Sequence, residues 1–290
     1  MRRSLLLSAM AAAAALVLSV TAPGSHAEAR RSHRVVGGGD VVPGAYPFVT
    51  YMGLRVGDTE LLGCGASLVD RQTLMTAAHC VYGEAENRIP DSWWHIRVGV
   101  TDRASDNQGQ DRSVVKSIVH PHYRNAGSTL EKSYDVAFLV LDKPVTGIAP
   151  IRLPAVGDTS WLRPGREATV AGWGRMTPQE DIQDFPDRMH QVRVPFKSTA
   201  QCTSVFGDQF NPALHVCAGA LSRDACEGDS GGPLFDKDHG VWRQYGIVHA
   251  GSRTCGDTVG GLYVNTASRE LWKTMGDSPD GAAVKKLLGR

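Results

Sequence analysis

Short apolar or β-branched runs recur along the chain between turn signals, and their length and residue types predict strands rather than helices. The runs are Pro47–Tyr51, Ala66–Val69, His95–Val100, Val114–Val119, Val136–Leu141, Ala168–Ala171, Met189–Val194 and Gln244–Val248. Pro, Gly, Asp and Asn punctuate the gaps, which is the pattern of an all-β sandwich or barrel. Only the end of the chain reads as helical: Leu271, Trp272 and Met275 share one face of Ser268–Met275, with Ser268 as N-cap. Asp277 to Arg290 follows as a polar, weakly patterned tail.

The first 27 residues read as a signal peptide: Arg2 and Arg3 are basic, Leu5 to Val20 is apolar, and Ser25-His26-Ala27 places small residues at a cleavage site. The apolar stretch is shorter than the ~20 residues of a membrane span, so no membrane anchor is expected once it is removed. The short basic start and strongly apolar centre favour the general secretory route over the twin-arginine route. Secretion to the extracellular space is the expected fate. With 31 basic and 30 acidic side chains and no basic stripe, nucleic acid and anionic membrane are poor partners. Six cysteines in an exported chain imply three disulfides, but spacing alone leaves fifteen pairings open. Neither C-x-x-C nor H-E-x-x-H is present, so no metal site and no cofactor is expected.

Three runs carry the chemistry. In Gly228-Asp229-Ser230-Gly231-Gly232-Pro233, glycines flank a serine and let the backbone take positive φ, so that the N–H groups of Gly228 and Ser230 can aim at one oxyanion. Thr76-Ala77-Ala78-His79-Cys80 supplies a histidine with small residues behind it. Tyr134-Asp135 supplies an aspartate at the mouth of the apolar run Val136–Leu141. A serine hydroxyl is a weak nucleophile until a neighbouring base takes its proton, and a neutral imidazole is suited to that task.

From about Val35 to the region of Trp272, the chain resembles the trypsin/chymotrypsin family of serine endopeptidases, with histidine, aspartate and serine in the family's order. The resemblance implies two six-stranded antiparallel β-barrels around a catalytic cleft and a C-terminal helix, with His79 and Asp135 from the first barrel and Ser230 from the second. It implies the disulfides Cys64–Cys80, Cys202–Cys217 and Cys226–Cys255. Arg34-Val35-Val36-Gly37-Gly38 resembles the family's activation site. Residues 28–34 would then be a propeptide, the enzyme domain would span 35–276, and 277–290 would be the tail. Cleavage after Arg34, by an activating protease or by self-cleavage, would free the Val35 ammonium to pair with Asp229 and order the oxyanion loop. Asp224, six residues before Ser230, matches the acidic pocket floor of the trypsin group, and Gly251 and Gly261 match its wall glycines. Substrates would be proteins or peptides with Arg or Lys before the scissile bond, and the enzyme is expected to be a monomer.

The chain also departs from the family. Where Ser-Trp-Gly is usual, Val248 is followed by His249-Ala250-Gly251, and Gly251-Ser252-Arg253-Thr254-Cys255 is one residue longer than in many members. The departure bears on subsite preference and catalytic efficiency. His249 either hydrogen-bonds Asp135 or fills space. Asp102, Asp106, Asn107 and Asp111 lie where some relatives bind calcium, without recognisable ligand spacing, and His120-Pro121-His122-Tyr123 resembles a common family loop. Two other readings compete: a weak or inactive homologue acting as a binding protein, and an esterase. Gly228 to Gly232 fits Gly-x-Ser-x-Gly, but an esterase places its histidine last and its serine on a strand-to-helix elbow.

Overall fold

The computed structural model describes residues 37–57, 59–83, 87–176, 185–252 and 254–290. The expected signal peptide and propeptide, with Arg34 and Val35, lie outside the described residues. All eight apolar runs overlap strands, because each alternates toward or lies wholly within a buried layer. In chain order the strands are β1 (Gly39–Asp40), β2 (Val49–Val56), β3 (Thr59–Asp70), β4 (Thr73–Thr76), β5 (Trp94–Val98), β6 (Gln110–Arg112) and β7 (Val114–Val119). They continue with β8 (Ala137–Leu141), β9 (Glu167–Gly172), β10 (His190–Pro195), β11 (His215–Ala218), β12 (Pro233–Asp238), β13 (Val241–Gly251) and β14 (Gly261–Asn265).

The strands form two antiparallel sheets, in the orders β6-β5-β2-β3-β4-β8-β7 and β1-β10-β9-β12-β13-β14-β11. Each has the six expected strands plus one short edge strand, β6 in the first and β1 in the second. Bulges at Met52/Gly53, Leu68/Asp70, Val114/Lys116, Leu234/Phe235 and Val248/Ala250 curl the sheets by adding a residue to one strand of a pair. The edge strand β1 comes just after the expected cleavage site yet pairs with β10, Gly39 opposite Gln191, so this stretch is tied to the second sheet.

The second sheet encloses an apolar interior of its own, and a larger one built on the first sheet continues into Phe235, Ile247 and Val264 of the second, with aromatic side chains joining the two sheets. Phe48 and Phe235 meet edge to face at 5.2 Å, and Tyr51 meets Trp173 at 5.6 Å. Between them the buried Ser67 hydroxyl donates to Gln244 Oε1 at 2.6 Å, a polar pair satisfied within the seam. The three disulfides pair Cys64 with Cys80, Cys202 with Cys217 and Cys226 with Cys255.

The loop between β5 and β6 is organised around a buried arginine. Arg97 donates to the carbonyls of Arg103, Ser105 and Gln108 at 2.6, 2.7 and 3.0 Å, and its Nε lies 3.2 Å from Asp111 Oδ1. The Asp102 carboxylate caps its own turn by accepting from the Ala104 N–H.

Among the described residues, four α-helices complete the fold. Two start at capping boxes, α1 (Thr129–Lys132) at Ser128/Glu131 and α2 (Thr199–Phe206) at Ser198/Gln201. The expected helix α3 (Arg269–Met275) has Ser268 as N-cap, its hydroxyl accepting from the Leu271 N–H. The polar tail forms a further helix, α4 (Pro279–Leu287), capped by Ser278 with proline at its start. Its polar residues serve two contacts at the surface: Lys116 Nζ lies 2.6 Å from Asp280, and His122 Nε2 2.7 Å from Asp277. Its one deeply buried apolar side chain, Val284, joins the core of the first sheet.

Val284→Ala removes two buried methyl groups and is expected to lower stability by about 1–2 kcal/mol. The check is the denaturant midpoint, which would not move if α4 only rested on the surface.

Candidate active site

Glycine is obligatory at several points of the Gly228–Pro233 turn, and this fixes where the turn sits. At Gly231 φ is +77°, and a Cβ would lie 2.1 Å from Thr76 Oγ1 and 2.6 Å from the Gly65 carbonyl. The Gly65 N–H donates to the Ser230 carbonyl at 2.8 Å, and the Gly231 N–H donates to Val248 at 2.9 Å. The serine is thus stitched to β3 on one side and β13 on the other. Gly228 has φ +93°, and neither its amide nor that of Ser230 is used in a hydrogen bond among the described residues.

His79 follows β4 and begins a single helical turn, His79–Val81, pinned by the Cys64–Cys80 disulfide. Asp135 lies just ahead of β8, wholly buried, and the pairing of β8 with β4 brings the two side chains together. Asp135 Oδ1 accepts from the His79 backbone N–H at 2.7 Å, and Oδ2 lies 2.7 Å from His79 Nδ1. A carboxylate can only accept, so Nδ1 carries the proton and Nε2 is left as the basic nitrogen. Burial pulls the imidazole pKa down, but the charge and hydrogen bond of Asp135 outweigh this and raise it above its ordinary value. Burial pushes Asp135 up, yet the two imidazoles beside it hold it well below the usual carboxylate range. The second of these is His249, whose Nδ1 lies 2.6 Å from Asp135 Oδ2. Of the two readings open at this position, the hydrogen bond is the one formed. Among the described residues no hydrogen bond joins the Ser230 hydroxyl to His79, whose Nε2 lies 3.8 Å from Cys80 Sγ; such catalytic contacts commonly tighten only with substrate in place.

A cavity of about 390 Å³ opens beside Ser230, walled by Ala225, Cys226, Val248, Gly251, Cys255 and Gly261. Arg175 and Glu227 border it and are joined at 3.0 Å. Asp224 lies buried behind Gly261, where a Cβ would come 3.1 Å from its Oδ1. Its Oδ2 accepts weakly from the Gly256 N–H at 3.4 Å, and Oδ1 has no hydrogen-bond partner. Burial pushes this carboxyl up to about 7.

Asp229 is also fully buried. It accepts from the N–H groups of Gly174 at 2.9 Å and Cys226 at 3.0 Å, and burial raises it to about 6. A Cβ on Gly172 or Gly174 would collide with its carboxylate, at 2.4 and 2.5 Å.

Two groupings have the donor atoms of a metal site among the described residues, His79/Asp135/His249 and Cys64/His79/Cys80. The second has its sulfurs tied up in a disulfide, and in the first both Nδ1 atoms already bond Asp135. The other histidine pair is spent structurally: His120 Nε2 meets the Leu271 carbonyl at 3.1 Å and His122 meets Asp277.

The bond from His249 was only one of two options in the sequence, and the tie from Gly65 to Ser230 had no signal there. Both depend on how distant strands register.

The family model described as Trypsin matches residues 35–272. A curated relative, "Transmembrane protease serine 5" of Homo sapiens, is 31% identical over 246 residues, which cover 82% of this chain and 50% of that protein. The chain thus spans about half the length of that relative. No helix among the described residues is long and apolar enough to cross a membrane. With the fold, the paired His79 and Asp135 and the glycine-framed Ser230 in place, this match assigns the chain to the trypsin family of serine proteases.

Proposed function

We propose that this protein is a secreted endopeptidase that cleaves after Arg and Lys through a Ser-His-Asp acyl-enzyme mechanism, and that it is made as a zymogen. The observation that carries the reading is the pairing of His79 with the wholly buried Asp135, which fixes the ring proton on Nδ1 and leaves Nε2 as the basic nitrogen. Ser230 attacks the scissile carbonyl as Nε2 takes its proton. The same nitrogen then protonates the departing amine, and water repeats the cycle on the acyl-enzyme. Asp135 orients the ring and stabilises its protonated form. The Gly228 and Ser230 amides serve the oxyanion. Arg/Lys preference is supported by Asp224, a buried carboxylate with one unpartnered oxygen, for which a guanidinium or ammonium supplies the missing donors. Three disulfides with no free cysteine among the described residues support an oxidising location, outside the cell or in its envelope.

Ser230→Ala is expected to abolish peptide hydrolysis, with a loss of about 10³-fold or more, while the denaturant midpoint stays within error. Wild-type protein should be labelled at Ser230 by a fluorophosphonate. Retained hydrolysis in the variant would remove Ser230 from the mechanism.

The Asp224 carboxyl binds a cation well only when ionised, and its pKa near 7 places that change within the working range. Affinity for an arylamidine is therefore expected to rise by roughly tenfold per pH unit from pH 5 to 6 and to level off above 7 to 8. Asp224→Ser should bind the amidine weakly and without that slope, measured by calorimetry. Tight binding by the variant would place the pocket floor elsewhere.

Activation is the third test. A folded pKa raised to about 6 means that Asp229 favours the folded state while protonated, and that this contribution fades as pH rises from about 4 through 6. The uncleaved precursor should show this loss, and cleavage after Arg34 should abolish it by giving the carboxylate the Val35 ammonium. Thermal midpoints of both forms, at pH 4.5 and 7.5, make the comparison. Equal pH dependence in the two forms would rule out the pairing, as would full activity in protein that retains Arg34.

A further inference from the structure

The side chain of His249 reaches Asp135 because of a fault in strand pairing. In the β13–β14 pair, Val248 lies opposite Tyr263 and Ala250 opposite Leu262, so His249 is the extra residue between them. A bulge re-aims the side chain it carries. Here it directs His249 onto the same carboxylate oxygen that holds His79, at 2.6 and 2.7 Å.

We propose that His249 is a positioning residue for the reaction: it donates its Nδ1–H to Asp135 and so fixes the carboxylate that orients His79. The inference rests on the triad reading given above. Asp135 is wholly buried, so each of its lone pairs needs a donor from the protein. Oδ1 has the His79 backbone N–H, and Oδ2 has two imidazoles. Because the carboxylate is acceptor-only, His249 has its proton on Nδ1 in either charge state and remains a donor throughout the working range.

The groups facing His249 fit this role. His215 of β11 stacks on its ring at 5.1 Å and 24° and is itself held neutral by burial, its pKa down at about 3. His79 lies 6.4 Å away, ring centre to ring centre, on the other side of Asp135. Asp135 is thus the anion that His249 meets, and the stack on His215 limits rotation of its ring. Partial neutralisation of Asp135 by a second donor also weakens its pull on the His79 proton, so removal of His249 should raise the pH at which His79 becomes a base.

The test compares His249→Ser with His249→Ala in the cleaved enzyme. The two differ by one hydroxyl donor at nearly equal volume. His249→Ala should lose about 10- to 100-fold in kcat on a small Arg ester with KM nearly unchanged, and the acid limb of its pH profile should move upward. His249→Ser should recover most of the rate and return the limb toward that of the wild type. Equal rates and limbs for the two variants, or a loss confined to KM, would overturn the proposal. A second readout is independent of turnover: proton NMR of protein with ¹⁵N-labelled histidine should show two low-field Nδ1–H signals. His79→Ala should remove one and His249→Ser the other. A single signal in the wild type would overturn the proposal even in active enzyme. Two signals in a protein that no fluorophosphonate labels would leave the His249 bond standing and refute the hydrolase reading instead.

Discussion

A carboxylate cut off from water is stable only when N–H donors replace its hydration, and Asp135 is the point where this requirement organises the molecule. Its donors come from the turn after β4, through the His79 backbone and ring, and from the bulge in β13, through His249. Satisfying one buried charge therefore draws the two sheets together at the cleft. The seam of Ser67 with Gln244 and of Phe48 with Phe235 keeps them there. The serine turn is held in the same seam by the Gly65–Ser230 and Gly231–Val248 hydrogen bonds, so Ser230 and His79 share one rigid support.

The three buried carboxylates illustrate how environment sets role. Asp135 has three close donors, two of them imidazoles, and stays ionised. Asp229 has two backbone donors and no cation beside it among the described residues, and its proton affinity rises to about 6. Asp224 has one long contact and rises to about 7. The order follows the number and charge of donors, and the two least satisfied carboxylates are the two for which a cation from outside the cleft is proposed.

Much of this was legible in the chain because it is local. The runs around His79, Asp135 and Ser230 carry their own frames of alanines, apolar strand and glycines, and the longer apolar strands announce themselves. What was not legible depends on long-range register or on disguise. Strand β4 did not stand out because it is four residues long with only two apolar positions between threonines, and in β11, β12 and β14 cysteine, proline and glycine interrupt the apolar pattern. Helix α4 has lysines and a glycine where an amphipathic stripe would show, and Val284 is its one deeply buried apolar anchor. The direction of His249 follows from a bulge that exists only once β13 meets β14.

Arg97 has a further consequence. Its guanidinium occupies the centre of the loop between β5 and β6, gathering three carbonyl oxygens and the Asp111 carboxylate as a bound metal ion would. A cation tethered to the backbone has no off-rate into solvent and no dependence on ion concentration outside the protein. The order of this loop is thereby written into the covalent chain, and a change in the ionic medium acts on it only through screening, which is weak for a buried group.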